Sequence, residues 1–143
     1  MNAAFPVVIH HNPGCGTSRN VLSIIEAAGY SPTVIDYQRN GWTVGQLQGL
    51  FATCGLTARE ALRETKSPAA DLGLFALGVA EQALLEAMVA HPILVNRPIV
   101  MTPKGVRLCR PSEGVLDLLD RLPPGPLFKE DGELIIDADG NRV

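Results

Sequence analysis

The sequence predicts an α/β domain, and three observations carry that prediction. The first forty residues alternate a β-rich apolar run, a helical apolar pattern and a second β-rich run. The middle of the chain is patterned as amphipathic helices. From residue 92 onward the pattern changes to two short strands and a helix. Strand–helix–strand is the right-handed crossover unit of parallel sheets.

FPVVIHH (5–11) is short, apolar and β-branched, as a buried strand requires. After the Asn12-Pro13-Gly14 loop, apolar residues at Val21, Leu22, Ile24, Ile25 and Ala28 fall at helical spacing. Gly29 is the expected stop. SPTVIDYQ (31–38) reads as the second strand. Helices are predicted from Thr43 to about Ala52, from Thr57 to about Glu64 and from Ala80 to Ala90, with Lys66-Ser67-Pro68 separating the last two. PILVNRPIVMT (92–102) ends in a strand, and Pro103-Lys104-Gly105 turns it into GVRLCR (105–110), giving a hairpin. Ser112 is placed as the cap of a helix SEGVLDLLDRL, with Glu113 in its first turn. The tail FKEDGELIIDADGNRV holds two Asp-Gly turns around one short strand and is expected to pack loosely.

Size and composition fit one domain spanning 1–143. A chain of 143 residues that is 46% hydrophobic and 19% charged can bury a real core. The formal net charge of −3 offers no broad basic field for nucleic acid or an anionic membrane. Of the 12 basic residues nine are arginine, whose planar fork suits oxyanions, although GC-rich coding gives the same skew. Three cysteines, Cys15, Cys54 and Cys109, are too few and too widely spaced for a disulfide framework or a zinc site. The chain start shows no charged n-region and too short an apolar stretch for a signal peptide. No run approaches the length of a membrane span. Together these give the expectation of a cytoplasmic protein with no metal.

The order β-α-β, helical block (about 43–91), β-β-α is the thioredoxin/glutaredoxin topology with a helical insertion. That topology sets its working cysteine between the first strand and the first helix, where Cys15 stands in HHNPGCGTSRN (10–20). A cysteine there faces unpaired backbone N–H groups and the positive end of the helix dipole, both of which favour the thiolate. Gly16 allows close backbone approach, and Thr17, Ser18 and the amides after them can form an anion nest. His11 and Arg19 are near enough in sequence to add charge or donors. The bland alternative makes Cys15 a small loop residue. Spacing narrows the chemistry. The position three after Cys15 is Ser18, so a C-x-x-C dithiol is absent but a single-thiol reaction with an outside thiol is open. The position six after it is Val21, so the C-x5-R loop of cysteine phosphatases is absent.

With HPILVNRPIV (91–100) and RLCRPSE (107–113) added to that loop, the chain resembles the glutaredoxin-dependent arsenate reductases, the ArsC family, from about Val7 to KEDGE (129–133). The resemblance implies a thioredoxin-like fold and a route from arsenate to arsenite. A thiolate at Cys15 attacks As(V), glutathione adds to the adduct, and glutaredoxin removes the glutathione as a mixed disulfide. It implies glutathione as co-substrate, glutaredoxin as partner and no tightly bound cofactor. By motif position it assigns the oxyanion to Arg63, Arg97 and Arg110 beside Gly16, Thr17 and Ser18, and the tuning of the thiolate to His11. Guanidinium charge is what such a step needs, because a thiolate meeting arsenate is anion against anion. The matching proline in these folds is cis, so the Arg97–Pro98 bond is expected to be cis, with Pro98 structural.

Competing readings remain at this stage. Arg63 sits on a predicted amphipathic helix, where a solvated arginine is the default, and Arg59 is one turn away. Arg19 and Arg107 read as surface residues. Cys109 as a resolving thiol competes with Cys109 as a small hydrophobe. Trp42, Met88 and Met101 read as packing. Two other functions stay open: a monothiol glutathione-dependent reductase of another substrate, and a regulatory binding protein of the Spx type.

Overall fold

The structure, a computed structural model, describes residues 5–143. The chain divides into two compact units: one runs to Asp36 and resumes over Arg97–Val143, the other is Tyr37–Asn96. The segment read as a helical insertion, 43–91, lies within the second.

The first unit holds strand β1 (Val8–His11), helix α1 (Gly16–Ala27), strand β2 (Thr33–Asp36), strands β3 (Ile99–Thr102) and β4 (Gly105–Leu108), and a 3-10 helix over Ser112–Leu118. Its sheet runs β2-β1-β3-β4. β1 and β2 are parallel, with Ile9 opposite Val34. β3 lies antiparallel to β1, with Val100 opposite Ile9, and β4 antiparallel to β3, with Arg107 opposite Val100. The thioredoxin-like fold expected from the element order is the fold observed.

α1 forms where its apolar stripe predicts it. Val21, Ile24, Ile25 and Ala28 are all buried, packed with Ile9, Val100, Cys109, Val115 and Leu116. The helix ends in a Schellman motif: the Gly29 N–H donates to Glu26 O and the Tyr30 N–H to Ile25 O. Gly29 has φ +93°, which glycine adopts without Cβ strain. Arg121 closes the same end, donating from Nε to Ala28 O and lying over the Tyr30 ring.

The second unit holds α2 (Tyr37–Asn40), α3 (Val44–Cys54), α4 (Glu81–Ala90) and a 3-10 turn at Pro92–Leu94. Thr43 caps α3 by accepting from the Gln46 N–H. Leu47, Phe51, Leu84, Leu85, Met88 and Leu94 are buried, and Tyr37 stacks on Trp42.

Several expectations need correction. The second strand stops at Asp36, since Tyr37 opens α2. The helix expected over Thr57–Glu64 is one turn only. Its start signal is real: Thr57 and Glu60 form a capping box, each side chain accepting the other's backbone N–H. The backbone then turns to pair with the 94–96 segment instead, through a Leu62–Val95 bridge, Arg63 N–H to Leu94 O and Asn96 N–H to Ala61 O. Arg63 therefore follows an extended bridge and is not on a helix. The stretch 92–102 opens as the 3-10 turn, and only Ile99–Thr102 is strand. Ser112 begins a 3-10 segment and makes no cap; its hydroxyl donates to Thr17 O. The tail is not loose. It forms a second small sheet, β5 (Leu127–Phe128) with β6 (Leu134–Ile136), whose Ile135 and Ile136 enter the core. Met101 is 40% exposed because β3 turns Val100, not Met101, inward.

Candidate active site

Cys15 is the N-cap of α1, with extended backbone (φ −107°, ψ 122°). The approach loop is fixed by its own side chains. Asn12 Oδ1 accepts the Gly14 N–H at 2.9 Å, and Asn12 O accepts the Cys15 N–H at 3.0 Å. This is an Asx-type turn, which the Asn-Pro-Gly string encodes. A Cβ on Gly16 would make only ordinary contacts, so internal packing does not demand the glycine.

Cys15 is buried, at 6% exposure, yet its surroundings favour charge on the sulfur. Burial is the largest single influence and pushes the thiol up. The Ser18 backbone N–H, the Arg97 charge and hydrogen bonds from Arg110 and Arg97 together outweigh it and hold the thiol below its ordinary value. Arg110 Nη1 stands 3.7 Å from Cys15 Sγ and also donates to Arg97 O at 3.1 Å, so it ties the two arginine segments together. Both Arg97–Pro98 and Arg110–Pro111 bonds are cis.

Behind the loop, His11 Nδ1 shares a 2.6 Å hydrogen bond with Ser18 Oγ, which also accepts the Asn12 N–H at 3.0 Å. Both side chains are buried. Burial chiefly lowers the His11 pKa; Arg19 lowers it further, and Asp36 and Glu26 oppose. At neutral pH His11 is thus a neutral ring bonded to the helix's first turn rather than a source of positive charge. His10 is buried too, and burial lowers its pKa.

These histidines give a pH dependence of stability. A histidine whose pKa falls on folding takes up its proton more readily in the unfolded chain, so stability is full above the unfolded value of about 6.5 and declines as pH falls toward the depressed folded values. Urea midpoints should drop between pH 7.5 and 5.5 in the wild type and drop less in His10→Gln. Identical slopes in the two proteins would contradict this assignment.

The structure thus places Cys15, His11, Gly16, Thr17, Ser18, Arg97, Pro98 and Arg110 in one unit, with Ser18, Arg97 and Arg110 at the sulfur. Arg63 belongs to the other unit, buried, its Nε donating to Thr65 O. Arg59, its neighbour in sequence, spends its guanidinium on Leu74 O and Ala76 O. Cys109 is fully buried in the core cluster with its sulfur toward Arg107 O. Arg107 is an exposed partner of Asp117. No disulfide joins the three cysteines, and among the described residues no helix is long and apolar enough to cross a membrane. Ser112, Asn12 and Glu130 are structural partners of the loop to which sequence reading assigns no such role. Asn12 was signalled by its Asn-Pro-Gly context; Ser112 and Glu130 act across about a hundred residues and carry no local signal.

A thioredoxin-like domain with one thiolate-favouring cysteine at a helix N-terminus, no second cysteine in the loop and two guanidinium groups at the sulfur defines a single-thiol protein suited to anions. The ArsC family model matches residues 10–118, and the chain belongs to the ArsC family. It is 69% identical over 137 residues to an arsenate reductase of Synechocystis, ArsI2, covering 96% of this chain and 98% of that protein. It is 51% identical over 137 residues to an arsenate reductase of Rhizobium meliloti, again covering 96% and 98%. Among solved structures, the arsenate reductase from Vibrio cholerae superposes with a TM-score of 0.76 at 37% identity, covering 80% of this chain and 98% of that one.

Proposed function

We propose that the protein reduces arsenate to arsenite, with glutathione and glutaredoxin supplying the electrons, in the reducing interior of the cell. The observation that carries the proposal is the buried Cys15 sulfur with Arg110 Nη1 at 3.7 Å and Arg97 beside it. A single thiolate under two fixed cations suits attack on a small oxyanion, and the related proteins carry the name of that activity.

The Cys15 thiolate attacks arsenic and an oxygen leaves as water once protonated. Arg97 and Arg110 offset the charge of the two anions as they meet. The α1 amides of the Gly16–Ser18 turn hold the remaining oxygens. Glutathione displaces a second oxygen as water, leaving arsenic bonded to two sulfurs. A glutaredoxin thiolate then attacks the glutathione sulfur. The sulfur–arsenic bond breaks, its electron pair stays on arsenic, and As(V) becomes As(III). Water releases arsenite and Cys15 leaves as thiolate. His11, bonded to Ser18, keeps the turn that supplies the Ser18 N–H to the sulfur.

The test is arsenite formation, measured by chromatography, with glutathione and glutaredoxin each omitted. Loss of product in either omission supports the route; unchanged product without glutathione would refute it. Phosphate has the shape and charge of arsenate but is not reduced by thiols. Millimolar phosphate should therefore raise the apparent KM for arsenate and leave kcat unchanged. No effect on KM would count against a shared oxyanion pocket.

A further inference from the structure

Arg19 is a cation the proposed chemistry does not use, although it lies one turn into α1 from Cys15. All three of its guanidinium nitrogens are committed. Nε and Nη2 donate to the two oxygens of Glu130 at 2.8 and 3.0 Å, and Nη1 donates to Pro13 O at 2.8 Å. Glu130 is itself fixed, because Asn20 Oδ1 accepts its backbone N–H at 2.9 Å. Its turn is anchored on the other side by Lys129, which pairs with Glu113 at 2.9 Å and Glu133 at 3.2 Å. The turn thus joins the first turn of α1 to the segment that follows Arg110.

The carboxylate is close to the residue that follows Cys15. A Cβ built on Gly16, the residue after Cys15, would lie 3.8 Å from Glu130 Oε1 and 3.7 Å from Arg19 Nη2. The Cys15 charge is felt at Arg19, as charges closer than roughly 8–10 Å act on one another at ordinary ionic strength. The pair is half-exposed, at 44% and 50%, and pairs so exposed add little to folding stability.

We infer that Glu130 is a positioning residue acting through Arg19: it holds that guanidinium on the Pro13 carbonyl and cancels its charge, so that Arg19 does not join Arg97 and Arg110 as a further cation at the thiolate. The other charged groups around the loop are accounted for. Arg97 and Arg110 act on the sulfur directly, and His11 is bonded to Ser18. Asp36, Arg19 and Glu26 act on His11, while Lys129 is held by Glu113 and Glu133. The inference concerns the charge at Cys15 and holds whichever anion the thiolate meets, so it stands apart from the arsenate reading.

The two members of the pair have opposite charges, so a field effect and a merely mechanical one give different signs. The experiment follows alkylation of Cys15 by iodoacetamide, a neutral reagent, with the Cys15 peptide quantified by mass spectrometry. It is run below the thiol's titration midpoint on wild type, Glu130→Gln, Arg19→Gln and the double variant. Glu130→Gln should alkylate about two- to three-fold faster, because a negative charge is gone and Arg19 is uncompensated. Arg19→Gln should be slower by a similar factor, and the double variant should return close to wild type. Both single variants moving the same way would show a strap that only braces the loop, and no movement would show an ion pair without influence on the thiol; either result overturns the inference.

Discussion

Cys15→Ser should lose turnover of arsenate entirely, by more than about a thousand-fold, while melting near the wild-type temperature. The loss follows from chemistry: a serine hydroxyl at the same N-cap is not ionised near neutral pH and cannot form the sulfur–arsenic bond or later leave as a thiolate. The retained stability follows from position. Cys15 contributes its backbone to the cap, accepting the Arg19 N–H on its carbonyl at 2.9 Å, and serine is itself a favoured N-cap residue. Steady-state arsenite production and a thermal melt check both halves. Substantial activity in a folded Cys15→Ser protein would move the nucleophile to Cys54 or Cys109, against the full burial of Cys109 in the core.

The second large effect is expected from the arginines at the sulfur. Arg110→Ala and Arg97→Ala should each reduce kcat/KM for arsenate by roughly a hundred-fold or more, the scale of losing a preorganised charge partner of the reacting anion. Each should also slow Cys15 alkylation at neutral pH. Removing a neighbouring cation disfavours the thiolate, and burial, the strongest influence on this thiol, then pushes it up with less opposition. Arg110→Lys should recover little, because a lysine keeps the charge but not the fork that reaches both Cys15 Sγ and Arg97 O. Alkylation rates and arsenate kinetics on the same preparations check this. Loss of turnover with unchanged alkylation would mean the arginine holds substrate without touching the thiol.

Much of this arrangement was readable from local sequence. The apolar stripe of α1 and Gly29 mark the helix and its end, and the strand before it brings Cys15 to the helix N-terminus. Arg97 and Arg110 precede prolines at the edges of the β3–β4 hairpin, and the antiparallel pairing of these strands carries both to one place. What escaped was decided by partners far along the chain. The Thr57 capping box is a sound helix start, yet Leu62 gains more from the bridge to Val95 than from another helical turn. Ser112 looks like a cap, but its hydroxyl is drawn to Thr17 O, 95 positions away in sequence. Two Asp-Gly turns suggested a loose tail, but the isoleucines between them fill the core under α1. Glu130 meets Arg19 across 111 positions, a pairing no window of sequence contains.

The most direct test of the central claim, that Cys15 is the thiolate that bonds arsenic, is mass spectrometry under non-denaturing conditions on protein incubated with arsenate and glutathione but no glutaredoxin. Wild type should carry an arsenic-bearing adduct that maps to Cys15, is missing from Cys15→Ser and disappears when glutaredoxin is added. A wild-type protein that produces arsenite with no such adduct, or that carries the arsenic on Cys54 or Cys109, would contradict it.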